Sequence, residues 1–143
     1  MPQGGESRDV VAGVVQLSNL LTRKLSPLFK KANVTPQQFA VLVALANNGG
    51  PSTLAAVART MLVSKQNMTG IAQRLEQAGY IDRNDDPGDL RSSRVVLTRR
   101  GRSLVEKLRP AYEDSLRRMA GIDEHELEAF ARTLQRLIDG LQG

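Results

Sequence analysis

Between Tyr80 and Thr98 the chain abandons the three-and-four spacing of apolar residues that it keeps almost everywhere else. Tyr80-Ile81-Asp82-Arg83-Asn84 and Arg94-Val95-Val96-Leu97-Thr98 read as two short strands, and Asp86-Pro87-Gly88-Asp89 between them is a turn signal. Together they make one hairpin with a polar, Arg-containing tip. The fold class expected is therefore mainly α with a small β-hairpin (α+β).

The helices around that hairpin are legible from their periodicity. Val10, Val14, Leu17, Leu21, Leu25 and Leu28 form one stripe of a first helix from about Arg8 to Lys31, which Pro27 is expected to kink or end. Thr35-Pro36 with Gln38 is a capping box opening a second helix to about Asn47. That helix is apolar nearly all round and is expected at the centre. A third helix is expected from about Ser52 to Met61, and a fourth from Ser64, its N-cap, to about Ala78, with Gly79 as its stop. The tight turn Met61-Leu62-Val63 between them gives the layout of a helix-turn-helix. A fifth helix runs from Thr98 or Arg99 to about Ala120 with a kink expected at Pro110, and a sixth starts at Asp123, paired with Glu126 in a second capping box.

Composition excludes several function classes. The chain has 143 residues and no cysteine, so disulfides, thiolate metal sites and cysteine chemistry are absent. A single histidine, His125, leaves little for imidazole catalysis, and its neighbours Asp123 and Glu126 are expected to act as helix caps rather than metal ligands. No nucleophile–base pair, phosphate-cradling Gly loop or catalytic carboxylate pair is present, so the chain is not expected to be an enzyme or to carry a cofactor. No apolar run reaches the roughly 20 residues of a membrane span, and no signal-peptide core is seen; a cytoplasmic protein is expected. The formal charge of +5 and pI near 10.1 suit a nucleic-acid partner, but equally an anionic membrane or an acidic protein, and net charge alone does not decide among them.

The fourth helix carries the most specific signal. At about 100° per residue, Met68, Ile71, Ala72, Leu75 and Ala78 share one face, while Gln66, Thr69, Gly70, Gln73 and Gln77 share the other, flanked by Lys65, Asn67 and Arg74. A solvated face is more often rich in Glu and Lys, because Asn, Thr and Gly cost helix stability. Amides read adenine edges, and Lys or Arg reads guanine; Ser64 and the free first-turn N–H groups can hold a phosphate. Arg91 and Arg94, with Asp89, Ser92 and Ser93, lie at or beside the hairpin tip, where Arg suits a minor groove.

From Thr35 to Gly101 the chain resembles the MarR family of bacterial transcription regulators. The resemblance rests on Asp89-Leu90-Arg91 followed by Val95-Val96-Leu97-Thr98, and on Arg74-Leu75-Glu76 leading to Gly79-Tyr80-Ile81. It implies a winged helix-turn-helix at 35–100, with terminal helices at 1–34 and 101–143 forming a dimerisation region. It implies a sequence-specific DNA-binding regulator, a repressor relieved by a small anionic or phenolic effector, working as a homodimer on a pseudo-palindromic operator. By resemblance Ser64, Lys65, Gln66, Asn67, Thr69, Gln73 and Arg74 contact the major groove and phosphates, Arg91 enters the minor groove, and Asp89 orients it. Arg94 and Ser92 join this set by charge, polarity and position. Two residues depart from the family: Leu62 stands in a turn where Gly is common, and Leu90 stands where a second wing Arg is frequent. Two other readings stay open, a winged-helix protein–protein assembly module and a sequence-indifferent architectural DNA binder. Arg23, Lys24, Lys30 and Lys31 could attract an anion, although the helix dipole already accounts for cations there.

Overall fold

The structure, a computed structural model, describes residues 9–86 and 89–142, with the side chains of 85–92 outside the described part. The elements run α1 (Val10–Lys31), α2 (Pro36–Asn48), β1 (Ser52–Thr53), α3 (Leu54–Met61), α4 (Lys65–Gln77), β2 (Ile81–Asp86), β3 (Asp89–Leu97), α5 (Arg99–Ala120) and α6 (Glu124–Gln142). They form two compact units, residues 1–106 and 107–143. No helix among the described residues is long and apolar enough to cross a membrane.

In the first unit, α2 is central, as its all-round apolar sequence requires. Phe39, Val41, Leu42 and Leu45 are buried on it, and it packs against α1, α3 and β3. Thr35 opens it with both halves of the capping box: Gln38 N–H donates to Thr35 Oγ1 and Thr35 N–H to Gln38 Oε1. Phe29 of α1 meets Phe39 with ring centroids 5.5 Å apart, tilted 50°. Buried Leu25 and Phe29 anchor α1 on either side of exposed Pro27. The helix therefore continues through that proline, and α5 likewise continues through Pro110.

The sheet is three-stranded and antiparallel in the order β1-β3-β2. Here the sequence expectation is corrected. Ser52 and Thr53 are not helical; they pair with Val95 and Arg94 of β3, and Thr53 then caps α3 by accepting the Ala56 N–H at 3.1 Å. β2 and β3 pair Ile81 with Leu97, Asp82 with Val96 and Asn84 with Arg94, with an irregularity between Asn84 and Asp86. The ladder resumes at Asp86 and Asp89, so both strands reach further toward the turn than alternation alone suggests. Tyr80 precedes the sheet. Its N–H caps the Leu75 carbonyl, its hydroxyl donates to the Ala32 carbonyl at 2.7 Å, and Arg100 lies 5.1 Å from its ring centre.

In the second unit, α6 begins with the expected box: Glu126 N–H donates to Asp123 Oδ1 at 2.8 Å and Asp123 N–H to Glu126 Oε1 at 3.2 Å. No residue of α6 is buried, and Phe130, Leu134, Leu137 and Leu141 stay exposed along it. In the first unit, Val10, Val11, Val14, Val15, Leu17 and Leu20 of α1 are exposed in the same way.

Candidate nucleic-acid interface

Helix α4 is seated by four side chains on one face: Met68 is 2% exposed, Ile71 8%, Ala72 0% and Leu75 1%. This fixes which side of the helix looks outward. Lys65, Gln66, Asn67, Thr69, Gln73 and Arg74 are all exposed. Beyond Gly70 a Cβ would meet nothing within 4 Å, so the backbone there lies open to a close partner.

The start of α4 leaves backbone donors uncommitted. Ser64 Oγ accepts the Asn67 N–H at 3.1 Å, leaving the Lys65 and Gln66 N–H groups without a partner among the described residues. Two outward N–H groups at the positive end of a helix dipole, beside the Lys65 ammonium, favour a phosphate oxygen. Thr69 is partly committed: its hydroxyl donates to the Lys65 carbonyl at 2.9 Å, and its lone pairs remain open to an incoming donor. Gln66 and Gln73 carry amides able to donate and accept at once, the chemistry that matches an adenine edge.

The turn before α4 brings it close to α3. Leu62 adopts a left-handed conformation, φ 58° and ψ 39°, so that its N–H meets the Arg59 carbonyl and the Val63 N–H meets the Ala58 carbonyl. A residue usually given to glycine is thus made by a leucine, and the compact turn forms nonetheless.

On the sheet, Arg94 is exposed between buried Ser93 and Val95, as strand alternation requires. Asp89, Arg91 and Ser92 lie on the backbone of β3 rather than in a loop. Their side chains are outside the described residues. Arg83 Nε donates to buried Ser93 Oγ at 3.4 Å, a contact across the hairpin that the sequence did not single out. Strand β3 continues into α5 through Thr98, whose hydrogen bonds the sequence did not show although the residue closes the Val95-Val96-Leu97-Thr98 motif. Thr98 Oγ1 donates to the Gly79 carbonyl at 2.7 Å and accepts the Gly101 N–H at 3.0 Å. The end of α4, the hairpin and the start of α5 are thereby tied at one residue. Among the described residues no three His, Cys, Asp or Glu side chains group to hold a metal ion.

The profile of the MarR family matches residues 32–92. The transcriptional regulator FarR of Neisseria gonorrhoeae is 30% identical over 108 residues, covering 76% of this chain and 73% of its own. The transcriptional activatory protein BadR of Rhodopseudomonas palustris is 32% identical over 141 residues, covering 90% of this chain and 79% of its own. The crystal structure of NadR in complex with 4-hydroxyphenylacetate superposes with a TM-score of 0.72 at 25% identity, over 96% of this chain and 97% of that one. With the winged helix-turn-helix fold and these relatives, the chain belongs to the MarR family of transcriptional regulators.

Proposed function

We propose that this chain is a cytoplasmic, homodimeric, sequence-specific DNA-binding repressor, released from a pseudo-palindromic operator by a small anionic or phenolic effector. The observation that carries the DNA reading is the outer face of α4. Gln66, Thr69 and Gln73 form a polar row, flanked by Lys65, Asn67 and Arg74, on a helix whose opposite face is fixed in the core. In this reading α4 enters the major groove. Ser64 and the first-turn N–H groups hold a phosphate, Arg91, positioned by Asp89, enters the minor groove, and Ser92 and Arg94 face the adjoining backbone.

The dimer reading rests on exposed apolar stripes on α1 and α6, which a second copy would cover with twofold symmetry. Residues 35–100 are then the reading domain, and 1–34 with 101–143 the dimerisation region. The effector reading takes its support from NadR, solved with a phenolic carboxylate.

Selection from random-sequence DNA at moderate salt tests the proposal. The expected result is one pseudo-palindromic motif with half-sites about one helical turn apart. Salt-sensitive binding with no motif would point to an architectural binder, and no binding at all to a protein–protein assembly module.

A further inference from the structure

The large apolar side chains left exposed among the described residues lie, with one exception, on α1, α5 and α6, the helices proposed to pair with a second copy. The exception is Leu62. It is 63% exposed, and among the described residues no other large apolar side chain between residues 35 and 100 is exposed.

The backbone makes that exposure costlier. Leu62 holds φ 58° and ψ 39°, a region in which the side chain of an L-residue crowds its own backbone. Asn33 also sits at positive φ, but asparagine tolerates it. The turn is closed by backbone bonds, from the Leu62 N–H to the Arg59 carbonyl and from the Val63 N–H to the Ala58 carbonyl. A glycine would make both equally well. The fold therefore has little use for this side chain, and backbone strain of this kind gathers at binding and catalytic surfaces.

The surroundings indicate the partner. Leu62 stands two residues before Ser64, the N-cap of α4, so the two lie within roughly 7 Å of each other. From Val10 to Leu75 the sequence has no acidic residue, and exposed Arg59 and Lys65 stand on either side of Leu62 along the chain. Arg59 suits the C-terminal end of α3, but Lys65 opposes the positive end of α4 and calls for an anion in front of it. An apolar group between cations fits a surface that alternates charge with hydrocarbon. The edge of a DNA strand is such a surface, with a deoxyribose between successive phosphates and a rise of about 3.4 Å per nucleotide.

On the reading of α4 as the DNA-contacting helix, on which this rests, we propose that Leu62 packs against a deoxyribose next to the phosphate held at the start of α4. The contact adds affinity without base preference. It gives the strained leucine its function: the side chain is uncovered in the free protein and covered in the complex.

Full-length wild type, Leu62→Gly, Leu62→Ala and Leu62→Met are compared by DNA titration over a salt series, on the operator recovered by selection and on single-base variants of it. Leu62→Gly is expected to resist urea better than the wild type yet lose about three- to tenfold in affinity per half-site, the scale of one leucine covered from water. Leu62→Ala should lose as much and Leu62→Met little. The loss should be equal on every operator variant, with the salt slope unchanged, because no phosphate contact is removed. In the complex, NOEs are expected between the Leu62 methyl protons and deoxyribose protons. Unchanged affinity in Leu62→Gly and Leu62→Ala would overturn the proposal. So would a Leu62→Ala protein that binds like the wild type, since the glycine would then act by loosening the turn. A salt slope lower by about one would assign the loss to a displaced cation, and NOEs confined to a thymine methyl would make Leu62 a base reader; either also overturns it. In all these cases the wild type still binds and the reading of α4 stands. A wild type that binds no DNA sinks both.

Discussion

Among the described residues two non-glycine side chains sit at positive φ, Asn33 at 59° and Leu62 at 58°. Asparagine tolerates that region, whereas for most L-residues it costs roughly 1–2 kcal/mol. Leu62 recovers little by burial, since it is 63% exposed. Glycine removes the strain and gives back about 0.5–1 kcal/mol as added freedom of the unfolded chain. Leu62→Gly should therefore raise stability by about 0.5–1 kcal/mol and Tm by a few degrees, read by urea and thermal unfolding. A destabilised variant would show that the Leu62 side chain makes a contact the strain argument omits. At the same scale, Arg91→Ala should weaken DNA binding at least tenfold with the dimer intact, and unchanged affinity would remove the wing from the interface. Gln66→Ala should relax base preference at one position of each half-site rather than lower affinity uniformly. Selection repeated with the variant separates these outcomes.

At the scale of elements, Thr98 joins three segments through one hydroxyl and one N–H: Gly79 and Gly101 through the side chain, Tyr80 through the backbone. Gly101 completes the junction, because a Cβ there would run into the Tyr80 carbonyl. Thr98→Val keeps the shape and removes both hydroxyl bonds. It should cost about 2 kcal/mol in urea unfolding, with Thr98→Ser retaining most of the stability; equal losses in both variants would place the effect in packing. The sequence made the helices legible because their signals are local. Thr35 with Gln38, Ser64 before α4, and Asp123 with Glu126 each act within four residues of chain. The hidden contacts are those whose partners lie far away. Two-residue β1 exists only because Val95 and Arg94 of β3 arrive beside it, and no pattern at Ser52-Thr53 announces a strand. Tyr80 reads as strand by its β-branched and aromatic company, yet its backbone finishes the cap of α4. The outward face of α4 was legible because Met68, Ile71 and Leu75 fix its inward one.

At the scale of the whole molecule, the apolar stripe of α6 sets the prediction. Phe130 is 47% and Leu137 45% exposed, so Phe130→Glu removes no contact from a buried core but places a charge on the proposed dimer face. The variant should keep its helical content, sediment as a monomer, and lose at least tenfold in affinity for a two-half-site operator, because the second half-site no longer binds as a linked event. A variant that still sediments as a dimer would move the interface off this stripe. The pairing of β1 with β3 then matters for how such a dimer adapts. Since β1 leads directly into α3 and β3 carries the wing residues, each reading head is laced internally by sheet hydrogen bonds. In the dimer proposed, each head behaves like the rigid jaw of a calliper. A base pair inserted between the proposed helix contact and the proposed wing contact finds no joint within a head to absorb it.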